Sequence, residues 1–173
     1  SSFPEAALEA ALQAEMRAAL GMIVIEFPSA YASDPDDYLQ KGLALRDRYR
    51  EHPLLSFCLA PHAPYTVSDA TFRKIGTMLG ELDVPLHIHL HETQDEIERS
   101  IAVHGVRPIE RLRRLGLLGP GLAAVHAVHL SPEEIDVLAH HGSSVVHCPS
   151  WNLKLASGFA PIAQLLGAGV NVA

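Results

Sequence analysis

The chain reads as an α/β protein: the central-to-C-terminal part of a (β/α)8 TIM-type barrel, incomplete as given. Three observations predict this. Apolar, β-branched runs alternate with helical patterns at roughly 20 to 40 residues per unit. The runs are mostly apolar rather than alternating, as strands buried on both faces of a parallel sheet are. About five strands and the start of another are present, whereas a complete barrel has eight in about 250 residues. A doubly wound sheet shares the first two features. A start in a helix and a stop inside a strand suggest an excerpt, so residues 1–173 are expected to form a partial barrel domain without an internal boundary.

The elements follow in order. In SSFPEAALEAALQAEMRAALG, Leu8, Leu12, Met16 and Leu20 fall at helical spacing, Ser2 and Glu5 at capping-box spacing, and Gly21 supplies a stop. MIVIEFP is a strand closed by Pro28, and Asp34-Pro35 opens a helix to about Arg50. LLSFCLAP and PLHIHLHE are strands, each followed by a helix, SDATFRKIGTMLGEL and TQDEIERSIAVHG. Thr93 and Glu96 again have capping-box spacing. The short helix RPIERLRRLG precedes the strand GLAAVHAVHL. Ser131, Pro132 and Glu134 begin a further helix, SSVVHCPS is a strand, Asn152 to Leu155 lie in the loop after it, APIAQLLGAG is the last helix, and GVNVA begins a strand.

Composition narrows the function classes. Twenty acidic against 13 basic residues give a charge of −7, with no Lys/Arg block to attract nucleic acid or an anionic membrane. No apolar run approaches the roughly 18 residues of a membrane helix, and no signal peptide is evident, so a cytoplasmic protein with a small-molecule partner is expected. Cys58 and Cys148 lack CxxC spacing and sit in apolar runs, which reads as core thiols in a reducing compartment.

The 11 histidines are informative by placement. Parallel α/β folds gather their chemistry at the carboxyl ends of strands. Four successive strands each deliver an imidazole there: His62, then His89 and His91, then His126 and His129, then His147. His87, His129 and His147 are expected to be hydrogen-bonded core residues. His52, His104, His140 and His141 lie at helix ends, where exposure is ordinary. Alternation in PLHIHLHE places His87, His89 and His91 on one face, His87 deepest and His91 nearest the rim, with Glu92 in the following loop. A histidine ligand and a carboxylate three positions later suit metal-assisted hydrolysis.

HLHET after an apolar strand, AVHAVHL some way on, VVHCPSWNLKLASGFAPI and a closing GVNVA together resemble the metal-dependent amidohydrolase superfamily. Within it they are most similar to the methylthioadenosine/S-adenosylhomocysteine deaminases and their chlorohydrolase and guanine deaminase relatives; PHAPYT around His62 supports that subgroup. The resemblance implies roles residue by residue. His89 matches the fifth-strand ligand of the catalytic metal, zinc or iron. Glu92 matches the glutamate that moves protons between water and the purine ring and also contacts substrate. His126 matches the sixth-strand histidine beside the attacking water, and His62 a substrate-contacting histidine. An HxH pair on the first strand and an aspartate on the eighth would complete the metal site, and neither is present in these residues. The arginines between the third and fourth barrel strands, Arg46, Arg48 and Arg50, belong to the predicted helix, and none matches the position at which some of these deaminases hold substrate.

The resemblance thus implies a hydrolytic deaminase of adenine-containing nucleosides, in which metal-activated water attacks purine C6 and ammonia leaves, in a protein that relatives suggest is a homodimer or larger. Guanine or cytosine deamination and s-triazine dechlorination are the alternatives on the same scaffold. A histidine-rich module that binds metal without turnover is the alternative of another class. The 173 residues alone are expected to be inactive, because one ligand cannot hold zinc.

Overall fold

A computed structural model describes residues 3–173. Six parallel strands form one sheet in the order β1-β2-β3-β4-β5-β6: β1 Ala18–Val24, β2 Leu55–Pro61, β3 Leu86–Leu90, β4 Leu122–His126, β5 Ser144–Val146 and β6 Asn171–Val172. Each strand pairs with the one before it, and no reversal of order occurs. A doubly wound sheet reverses at a switch point, so this sequential winding is that of a barrel wall, with the crossover helices on one side.

The helices are α1 Pro4–Gln13, α2 Pro35–Tyr49, α3 Asp69–Leu82, α4 Gln94–His104, α5 Pro108–Arg114, α6 Pro132–His140, α7 Pro149–Lys154 and α8 Ile162–Gly167. Their starts follow the local chemistry. Asp34, Ser68, Thr93 and Ser131 each accept a backbone N–H from the third residue of the helix that follows, and Ser131 with Glu134 forms a complete capping box. Ser2, read as a cap for α1, lies outside the described residues.

Beside a small second cluster of Ile25, Ala32 and Tyr38, the main core lies between the sheet and its helices. Leu20, Met22 and Val24, Phe57 and Leu59, Leu86, Ile88 and Leu90 point into it and meet Leu8, Phe72, Ile75, Ile109, Leu112 and Leu138. Burial of each such side chain contributes about 1.5–3 kcal/mol. The other sheet face carries smaller and polar groups: Ala19, Gly21, Ile23, Cys58, Ala60, His62, His87 and His89 surround a cavity of about 290 Å³.

Two elements differ from the sequence reading. The expected helix over 1–21 ends at Gln13, the chain turns through Glu15 at φ 52°, and Ala18–Val24 becomes strand. Helix propensities differ by only a few tenths of a kcal/mol per residue. Seven register pairs with β2, from Ala18 with Leu55 to Val24 with Pro61, together with burial of Leu20, outweigh them. Gly21 is therefore not a helix stop. It sits in β1 because a Cβ there would come 2.8 Å from the Cβ of Ala60. The second difference is α7, a helix where a loop was expected, started by Pro149 at its first position.

Candidate active site

The carboxyl ends of β2, β3 and β4 bring His62, His89, Glu92 and His126 into one cleft of about 420 Å³, completed by Tyr65, Val125, Cys148, Trp151 and Leu155. The ring of His89 lies 5.1 Å from that of His62 and 5.4 Å from that of His126, centroid to centroid. Nε2 of His126 is 3.5 Å from Oε2 of Glu92. All four residues predicted from the sequence are thus neighbours. A larger cleft, of about 610 Å³ and lined by Phe27, Tyr65, Arg99 and Val103 among others, holds none of them.

His89 is fixed by a single carbonyl. His62 O accepts both the backbone N–H of His89, at 3.2 Å, and its ring Nδ1–H, at 2.8 Å. Because a carbonyl only accepts, Nδ1 carries the proton and Nε2 of the neutral ring is a free lone pair. Burial, opposed by that bond to His62, holds the His89 pKa below its ordinary value, and burial does the same for His62 and His87. A neutral ring with Nδ1–H on a carbonyl is what a metal-ligating histidine presents. Among the described residues no group of three or more His, Cys, Asp or Glu side chains is placed to hold an ion. His89 therefore fits one position of a ligand set.

Glu92 is placed by a carboxylate that the sequence reading took only for a helix cap. Glu96 reaches past Thr93, and its two oxygens accept the backbone N–H groups of His91 and Glu92, both at 2.9 Å. The reciprocal half of the expected capping box is thus spent on the turn that carries Glu92. Glu96 is buried, which pushes its pKa up to about 7 against the pull of those N–H groups.

His91 departs from the expected rim position. Alternation ends with β3 at Leu90, and His91 has φ 55°, which turns its ring away from His87 and His89 into full burial. There Nδ1–H is donated to His129 O at 3.1 Å, and Nε2 accepts the N–H of Ile109 at 3.2 Å. The same His129 O accepts from Arg107, whose guanidinium also grips Glu134 at 2.7 and 2.8 Å. This network ties the turn after β3 to the turn after β4, since His91 O accepts the N–H groups of Val128 and His129. His129 meets the expectation of a hydrogen-bonded structural residue, its Nε2 on Ser157 O at 2.8 Å. His147 does not, because its Nδ1 is buried without a partner.

His126 ends β4 with φ 74°, followed by Ala127 at 48°, so both Val125 and His126 line the cleft. Its Nδ1 lies 2.8 Å from Oδ1 of Asn152, which α7 delivers from the far side. The sequence placed Asn152 only in the loop after a strand; its grip on His126 depends on a helix that was not expected. Cys58 is a core thiol as read, whereas Cys148 is half-buried and faces the cleft.

Comparisons with known proteins agree with this arrangement. The chain matches the Amidohydrolase family over residues 2–173. The 5-methylthioadenosine/S-adenosylhomocysteine deaminase of Teredinibacter turnerae is 50% identical over 171 residues, covering 99% of this chain and 39% of that protein. That of Saccharophagus degradans is 47% identical over 163 residues, covering 94% and 36%. Among solved structures, an adenosine deaminase from Xanthomonas campestris with bound zinc superposes with a TM-score of 0.96 at 46% identity, over 99% of this chain and 39% of that one. An atrazine chlorohydrolase from Arthrobacter aurescens complexed with zinc gives 0.90 at 26%, over 99% and 40%. The chain spans about two fifths of the length of these relatives. Strand order, site and match agree, and the chain belongs to the amidohydrolase family.

Proposed function

We propose that the full-length protein is a zinc-dependent hydrolytic deaminase of adenine nucleosides bearing a 5′ thioether, the methylthioadenosine/S-adenosylhomocysteine class. The observation that carries this reading is the placement of Glu92 within 3.5 Å of His126 and in one cleft with His89 and His62. The names of the relatives supply the substrate class.

The 173 residues form part of one barrel domain, and His89 is the ligand they contribute, with the others supplied from outside them. When bound, zinc supplies Lewis acidity that makes water nucleophilic near neutral pH. Glu92 takes the proton lost by the attacking water and delivers it to the ring nitrogen beside C6, which makes that carbon electrophilic. As the tetrahedral centre collapses, the carboxylate, ionised again, takes the proton of the new C6 hydroxyl and passes it to the departing amine, so that C6 becomes a carbonyl and the amine leaves as ammonia. His126 holds the attacking oxygen in line by accepting its O–H. His62, half-buried with Nδ1 3.1 Å from Thr66 Oγ1, contacts the nucleoside, and Tyr65 and Trp151 wall the mouth of the cleft.

Metal analysis of the purified full-length protein, with loss of adenine absorbance on methylthioadenosine and adenosine, ammonia release from guanine and cytosine, and chloride release from atrazine, tests this reading. Zinc and turnover of the thioether nucleoside are expected. A zinc-loaded protein that dechlorinates atrazine, or that leaves every adenosine derivative unchanged, contradicts it, and iron in place of zinc corrects the metal alone.

A further inference from the structure

α7 is a six-residue helix whose one buried residue is polar. Trp151, Leu153 and Leu155 are all more than half exposed, while Asn152 is 1% exposed. A buried amide is costly unless it is hydrogen-bonded, so the one buried side chain of α7 has to be held by hydrogen bonds. The backbone is pinned at that residue. Asn152 N–H is donated to Cys148 O at 2.9 Å, and Asn152 O accepts from Ser157 N–H at 2.8 Å. What this anchoring presents is Oδ1, 2.8 Å from Nδ1 of His126, while Nδ2 is buried without a partner.

We infer that Asn152 is a positioning residue that sets which nitrogen of His126 carries a proton. An amide oxygen only accepts, so it holds the ring with Nδ1–H toward α7 and leaves Nε2 as the nitrogen that faces Glu92. Nε2 is then the lone pair that accepts the O–H of the attacking water and holds it in line, with Nδ1–H bonded throughout. Turned the other way, the amide would donate to Nδ1 and make Nε2–H permanent, and His126 could then accept nothing. The His89 ring is held in its Nδ1–H form by a carbonyl in the same fashion. Two neighbouring strands thus use backbone or amide oxygen to aim Nε2 into one cleft.

The catalytic consequence rests on the deaminase reading; the tautomer does not. The experiment compares the full-length wild type with Asn152→Leu, which removes the acceptor at similar size, and Asn152→Asp, which keeps an acceptor that cannot be reversed. Asn152→Leu is expected to lower kcat on methylthioadenosine about 10- to 100-fold with KM and zinc content held within about threefold, and Asn152→Asp to restore kcat to within about threefold of wild type. Histidine-selective 15N spectra should show an Nδ1–H resonance of His126, beside those of His89 and His91, in the wild type and in Asn152→Asp, and it should be lost in Asn152→Leu. Asn152→Ser replaces the leucine variant if that does not fold, with the same losses expected. An aspartate variant as impaired as the leucine one, a leucine variant within twofold of wild type, or an unmoved resonance overturns the inference. If no nucleoside is turned over at all, the function fails and the spectra still decide the tautomer.

Discussion

Gly21 offers the sharpest structural test, because helix and strand readings of its segment predict different couplings. In β1 it stands opposite β2 in register with Cys58, and a Cβ added to it meets the Cβ of Ala60 at 2.8 Å. Ordinary carbon contacts lie at about 3.5–4.0 Å, so Gly21→Ala demands roughly 0.7 Å or more of separation between two strands locked by backbone hydrogen bonds. Overpacking of this kind costs about 1–3 kcal/mol. Ala60→Gly alone costs about 0.5–1 kcal/mol as a strand glycine. Together the two changes move one methyl group across the same gap, so the double variant should be about 1–2 kcal/mol more stable than the sum of the single effects implies. Urea unfolding of the four full-length proteins, followed by far-UV circular dichroism, reads this coupling. Additivity within about 0.5 kcal/mol would refute the close approach and return Gly21 to the role of a helix stop.

Further outcomes follow from the site. Burial pushes the His91 pKa from 6.5 down to about 4, so the folded protein keeps the ring neutral while the unfolded chain protonates near 6.5. The stability it provides is intact above 6.5 and is lost as pH falls toward 4, a change of roughly 3 kcal/mol. His91→Gln does not titrate, so its urea midpoint should fall less between pH 7 and 4.5 than that of wild type, and parallel falls would contradict the assignment. Trp151→Ser removes an aromatic wall but no reacting group, and it should raise KM for methylthioadenosine about 3- to 10-fold with kcat within about twofold. A loss confined to kcat in steady-state assays would place Trp151 in the chemistry instead.

The sequence carried much of this fold and site because the relevant signals are local. Asp34, Thr93 and Ser131 marked helix starts that the structure repeats. Apolar runs marked the strands, and their carboxyl ends carried the four cleft residues. Parallel pairing hid the rest. Ala18–Gly21 has helical composition and becomes strand only because β2 is its partner. The positive φ of His91 has no signature in HLHET, so period-2 reasoning carried on one residue beyond the strand that justified it. Asn152 and His126 are 26 residues apart and meet only through tertiary structure, and the second use of Glu96 is masked by the capping pattern it also fits. Strand order, which separates a barrel wall from a doubly wound sheet, is likewise a property of pairing.

The central claim is that Glu92 moves protons for a hydrolysis in which His89 holds the metal. Glu92→Gln in the full-length protein tests it most directly, with zinc content and kcat on methylthioadenosine measured on the same preparation. The account predicts unchanged zinc and kcat lower by about 10²–10⁴-fold, the usual contribution of a positioned acid–base group. Glu92→Gln with kcat near wild type would contradict it, as would a variant that loses its zinc along with its activity.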